Sequence, residues 1–298
     1  MREQTAGKSG LSWRAKLINP VLNKEFRLRM RTPRSMWTLF FYLFAIGLMA
    51  LSAIYLTQVI SGSGRSFDPE ASKVLFYFLS MAQLGLIAFM APGLTAGVVS
   101  GEREKQTLNL LLTTQQSSTT IILSKLVSSL SFMVLIVIST IPIYSMVFLY
   151  GGISPKQLLL VFLFYIFMML VLGSFGIMFS TLFKRTMISV IVTYGITLFM
   201  FAGTALLFFV MVGVTEGFSQ NGSQTWVGHI IAWNPAAALY SILDPEISQQ
   251  VYNYGSYSGV APKKPWLTLW QEFILIYSIL SALALWTAIG KLRPRLKR

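Results

Sequence analysis

The sequence predicts an all-α polytopic membrane protein with six transmembrane helices, and three observations carry that prediction. Of the 298 residues, 54% are hydrophobic and only 11% charged, whereas a soluble domain carries roughly 25% charged residues. Six apolar runs, at 37–60, 74–99, 126–150, 158–182, 187–214 and 268–290, each reach the ~20 residues that a helix needs to cross ~30 Å of hydrocarbon. Charges are confined to the ends and the short connections, and Glu272, near the start of the last run, is the exception.

Orientation follows from where Lys and Arg fall. With both termini on one side, that side holds 19 of the 24 basic residues; the other five are Arg65, Lys73, Lys156, Lys263 and Lys264. Basic flanks remain cytoplasmic, so both termini are expected in the cytoplasm of a multi-pass protein of the plasma membrane. The formal charge of +14 is then a match for anionic lipid, and no motif supports nucleic-acid binding. A cleaved signal peptide is not expected, because the first apolar run begins only at Trp37 and is too long for a signal core.

Each segment has its own reason. Residues 1–36 read as a cytoplasmic tail and an amphipathic interfacial helix. In that stretch Trp13, Leu17, Val21, Leu22 and Phe26 alternate with Arg14, Lys16, Lys24, Arg27 and Arg31, a pattern that suits a helix lying on the inner surface. A basic anchor and nothing more is the plainer reading. Residues 37–298 read as a single six-helix transmembrane domain. Its fifth span is one tilted helix or one broken near Gly203. The outer loop 215–267 contains TWVGHIIAWNPAAALYSILDPE, which predicts two short re-entrant or interfacial helices broken at Asn234-Pro235, since proline disfavours helical geometry in the residue before it. The following QQVYNYGSYSGVAPKKP reads as loop. Asn221-Gly222-Ser223 matches the glycosylation triplet, and His229 reads as a surface histidine.

Several functions are excluded by what is missing. The chain has no cysteine and one histidine, so thiolate chemistry and an imidazole-rich metal site are not expected. Gly7-Lys8-Ser9 imitates the end of a phosphate loop, but the first glycine of that motif would fall on Arg2. No ATP site is expected in this chain, which is not read as an enzyme and needs no cofactor of its own. Ion-driven carriers place carboxylates or histidine at mid-membrane, whereas these spans offer Gln58, Gln83, Thr95, Ser139, Thr140, Ser174 and Thr193. Energy for uphill transport would therefore enter from outside the membrane.

The segment GEREKQTLNLLLTTQQSSTTIILSK, residues 101–125, lies between the second and third runs. Ser100-Gly101 breaks the span, and Glu102 and Glu104 then suit the first turn of a new helix. Leu108, Leu111 and Leu112 follow on one face, and the Ser/Thr stretch ends the helix before Lys125 opens the third span. Such a helix floats on lipid or fits a groove on a cytosolic protein; its acidic tip favours the protein.

Gly101-Glu102-Arg103-Glu104, Thr107-Leu108, Leu110 to Leu112 and Lys125-Leu126 together resemble the segment between the second and third helices in permeases of type-2 ATP-binding-cassette exporters. Asn19-Pro20, the FSTLFKRT turn and the Asn234-Pro235 step extend the resemblance along the chain. Two departures stand out: Gln106 occupies the position of a usual glycine, and a usual proline in the Ser/Thr stretch is missing. The resemblance implies a permease that pairs with a second copy, or a related permease, and rests on a cytosolic ATPase that binds ATP-Mg. Residues 101–112 would be the coupling helix. It further implies that Glu102, Arg103, Glu104 and Thr107 make polar contacts with the ATPase, that Leu108 and Leu111 seat the helix, and that Trp233, Asn234 and Pro235 help to form an outer gate. The alternatives are a membrane scaffold or regulatory anchor without a pathway, and a secondary carrier.

Overall fold

A computed structural model describes residues 33–61, 69–108, 117–149, 153–218, 225–253 and 266–292. Among these there is no strand, and six helical stretches are long and apolar enough to cross a membrane: Met36–Tyr55, Ser72–Glu104, Ser118–Phe148, Pro155–Leu182, Thr186–Val214 and Leu269–Leu292. The chain is therefore an all-α polytopic membrane protein. The expected amphipathic helix before residue 33, Leu111 and the Asn221 triplet lie outside the described residues.

The first two spans are α1 (Pro33–Ser61) and α2 (Pro69–Thr95), and a turn leads from α2 into the short α3 (Ser100–Glu104). The third span has two pieces, α4 (Ser118–Ile138) and α5 (Ile141–Leu149). Pro142 explains the break, because its ring displaces the carbonyl four residues back and supplies no N–H. The Ser139 and Thr140 N–H groups still find the Leu135 and Val137 carbonyls, and Gln83 of α2 donates its amide to Thr140 Oγ1 at 3.2 Å beside the break. This span starts at Ser118, where Ser117 accepts from the Thr120 N–H, and not at Leu126 as expected. Lys125 consequently sits two turns inside the helix.

The fourth span, α6 (Pro155–Leu182), begins with Ser154 as N-cap and proline in its first turn. It is the hub of the bundle and packs against α2, α4, the last span and the first part of the fifth, Thr186–Leu198. Helix association gains little from hydrophobicity inside a bilayer, so close packing by small residues matters more. Gly173 faces Leu126 and Leu130, and a Cβ on Gly176 would collide with Thr95 of α2. Phe164, Tyr165, Met168 and Leu172 fill the centre with Phe76, Leu79 and Ile87 of α2.

The fifth span is one continuous helical stretch whose ladder changes near Gly203, an outcome between the two expectations. It consists of α7 (Thr186–Leu198), a π-helical turn (Phe199–Gly203) and α8 (Thr204–Phe218). Only 17% of its apolar window is buried, against 61% for the third span, which leaves a broad face for lipid or another protein. Three short helices follow: α9 (Thr225–Ile231), α10 (Pro235–Leu243) and α11 (Glu246–Tyr252). The first two match the expected pair around Asn234-Pro235. The third corrects the loop reading of 249–265, because Gln249 to Tyr252 are helical; its turn is held by Ser248, which shares a hydroxyl contact of 2.7 Å with Ser241. The last span is α12 (Leu269–Leu292).

Candidate functional site

Three consecutive charged residues tie α3 to three different spans. The N–H groups of Val99 and Ser100, orphaned at the start of this short helix, both donate to Ser180 Oγ of α6, at 2.8 and 2.9 Å. Glu102 then forms an ion pair with Lys125 of α4. Arg103 donates to the carbonyls of Thr181 (3.2 Å) and Phe183 (3.5 Å), the unpaired acceptors at the C-terminus of α6, where a cation also suits the helix dipole. Glu104 accepts from the Thr186 N–H and the Thr186 hydroxyl, both at 2.8 Å, and so caps the N-terminus of α7. The short polar helix is thus a junction for the cytoplasmic ends of the third, fourth and fifth spans.

Two expectations about this segment need correction. The helix does not run on from Glu102 through Leu108. It ends at Glu104, and Gln106 adopts φ 58°, a left-handed conformation that favours glycine. This is the position where the resembled pattern carries glycine, so the backbone keeps the geometry although the residue differs. Leu108 does not face outward either. It is buried at 5% exposure with Val99, Ile121, Ile122 and Leu126 of its own chain. The exposed edge is instead Glu104, Lys105, Gln106 and Thr107, with the Thr107 hydroxyl donating back to the Glu102 carbonyl at 3.2 Å.

The resemblance assigned these charged residues to contacts with an ATPase, whereas here they meet partners within the chain. The family model described as ABC-2 family transporter protein matches residues 19–293. The chain belongs to the ABC-2 transporter family. It is a transmembrane permease, the membrane component of such a transporter. Comparison with curated proteins gives no match.

At the opposite end of the permease, Trp233, Asn234 and Pro235, expected at an outer gate, lie at the head of α10. Asn234 is buried at 3% exposure. Its Oδ1 accepts from the N–H groups of Ala236 (2.8 Å) and Ala237 (3.3 Å), an N-cap, and Pro235 takes the first helical position. Its Nδ2 donates to the Phe201 carbonyl (2.7 Å) and to Thr204 Oγ1 (3.0 Å) in the fifth span. The Trp233 carbonyl accepts from the Tyr277 hydroxyl at 3.0 Å. The far end of α10 is tied by the Leu243 carbonyl, which accepts from Tyr77 of α2 at 2.8 Å and from the Gln157 side chain of α6.

One constellation was missed in the sequence. His229 of α9 meets the Glu272 carboxylate at 2.9 Å, and the Tyr252 hydroxyl donates to the same carboxylate at 2.5 Å. Burial, and then the hydrogen bond to the Glu272 carboxylate, push the Tyr252 hydroxyl above its ordinary range. These residues are 43 and 20 positions from Glu272, so no local pattern could join them. Ser180 and Thr186 were likewise hidden in the FSTLFKRT turn, which was legible as a resemblance but not as the receiving surface for Arg103 and Glu104.

Proposed function

We propose that this permease forms half of the pathway of an ATP-driven exporter, with both termini in the cytoplasm of the plasma membrane, and couples to a separate cytosolic ATPase through residues 101–112. The observation that supports this most is the junction. A push on Lys105 to Thr107 reaches the third span through Glu102–Lys125, the fourth through Arg103 and the fifth through Glu104–Thr186. The charged triplet therefore transmits force within the chain, and the ATPase docks on the exposed edge from Glu104 to Thr107 with Leu111 beyond it. ATP-Mg binds on that partner.

A second copy, or a related permease, completes the pathway. Among the described residues, one cavity, lined by Tyr42, Ile87, Met90, Met133 and Met169, holds about 10 Å³, room for one water. The thinly covered first and fifth spans offer the faces for that second copy and for lipid. A pathway rich in Phe, Met and Leu, with few polar groups, suits lipid-like or amphipathic peptide cargo better than sugars.

The cysteine-free sequence provides a clean test. A single cysteine at Lys105 or Thr107, carrying a photoactivatable cross-linker, captures a cytosolic ATPase in native membranes, whereas one at buried Leu108 does not. Equal capture at all three positions, or capture of no ATPase at the exposed pair, contradicts the reading.

A further inference from the structure

We infer that the π turn at Phe199–Gly203 is a hinge within the fifth span, and that the Asn234 side chain is the positioning group that latches it. The span is built as two rods with different attachments. The cytoplasmic rod, α7, packs against the fourth span and is hydrogen-bonded to the second span and its polar extension. Thr186 is held by Glu104, Ser189 donates to the Ala96 carbonyl at 2.7 Å, and Tyr194 donates to the Phe89 carbonyl at 2.8 Å. The outer rod, α8, packs against α9 instead. Between them the helical ladder changes register.

A π turn inserts one residue into the i to i+4 ladder and leaves backbone carbonyls at its edge for other donors. Asn234 supplies such a donor at Phe201, and Thr204, the other group it grips, donates in turn to the Met200 carbonyl at 2.6 Å. Gly203 permits the turn, because a Cβ there would lie 2.5 Å from the Phe199 ring. The donor is itself anchored: Asn234 heads α10, whose two ends are tied to the sixth, second and fourth spans. A displacement arriving through Glu104 therefore moves α7 against an outer assembly that is held in place, and the strain concentrates at residues 199–203. Release of the amide grip lets the π turn relax, so that the inner rod swings while the outer rod stays with α9.

The functional half of this inference rests on the ATP-driven reading above; the mechanical half does not. Asn234→Ser separates the latch from the cap, since serine is as good an N-cap as asparagine but carries no amide to reach Phe201. Thr204→Val removes the second gripped group and leaves α10 untouched. Spin labels on cysteines at the exposed Ile191 and Phe209 span the hinge, about 27 Å apart for 18 residues of helix. They are measured in lipid nanodiscs diluted with unlabelled protein and without any ATPase. The expected result is one narrow distance in the parent protein and a broadened or second population in both variants, with faster amide exchange at residues 199–204 by about five- to tenfold. Unchanged distances and exchange in Asn234→Ser overturn the hinge. With the ATPase present, Asn234→Ser keeps hydrolysis but moves less cargo per ATP; unaltered coupling overturns the positioning role. If the parent chain itself stimulates no ATPase, the ATP-driven reading fails while the distances still decide the hinge.

Discussion

The Glu102–Lys125 pair makes a prediction whose sign is as informative as its size. Lys125 is 2% exposed at the side chain and Glu102 30%. Glu102→Gln takes the carboxylate away from a buried lysine, and breaking a buried pair costs at most about 3–5 kcal/mol. Because the Glu102 side chain is almost one-third exposed, water softens the loss, and a cost of about 2 kcal/mol is expected. Lys125→Met leaves the wetter partner behind and costs less, about 1 kcal/mol. The double variant Glu102→Gln/Lys125→Met should be more stable than Glu102→Gln alone, because removing both charges also removes the desolvation penalty. The assay is reversible unfolding in mixed micelles by titration with a denaturing detergent, followed by tryptophan fluorescence and helicity. A double variant whose loss equals the sum of the single losses within about 0.5 kcal/mol would refute the reasoning and reduce the pair to a surface contact.

Other consequences follow from single positions and use the same assay. Gln106→Gly removes the strain of a non-glycine residue at φ 58° and should stabilise by about 0.5 kcal/mol after the entropy that glycine adds to the unfolded chain; a destabilised variant contradicts the turn geometry. Gly176→Ala drives a methyl into Thr95 and should cost about 1–3 kcal/mol, and Thr95→Ala in the same chain should recover part of it by making room. Leu108→Ala should cost about 2–3 kcal/mol, whereas a leucine that merely faced a partner groove would lose nothing in the free permease. Tyr252→Phe removes a bond to the Glu272 carboxylate and should cost about 1.5 kcal/mol at neutral pH. Since the folded-state value of Tyr252 is raised above 10.0, that advantage of the parent protein is fully present below pH 10 and should shrink as pH rises beyond it.

Much of the fold was legible because a bilayer imposes a one-dimensional rule: a run of about 20 apolar residues crosses it. All six spans emerged that way, and the effect of Pro235 on the residue before it placed the break between the outer helices. The misplacements arose where a polar sequence folds against the bundle. Residues 118–125 look like loop in composition, yet Ser117 caps a helix there and Lys125 is drawn inside by Glu102. Gln249 to Tyr252 read as loop for the same reason, before the contacts of Ser248 and Glu272 were visible. The charged triplet at 102–104 stood out in the sequence as a set of contacts for an ATPase. Its partners within the chain were out of reach, because Thr181, Phe183 and Thr186 lie about 80 positions away and only the antiparallel return of the fourth span brings them back.

The most direct test of the central claim is purification of the tagged permease from its native membranes in mild detergent, with identification of what accompanies it and measurement of ATP hydrolysis. The account predicts a soluble ATPase that co-purifies, hydrolyses ATP and is lost when Glu102→Arg places two cations together at the junction, while insertion into the membrane is unchanged. Recovery of this chain alone, with no hydrolysis across several detergents, would contradict the coupling role of residues 101–112 and favour a scaffold without a pathway.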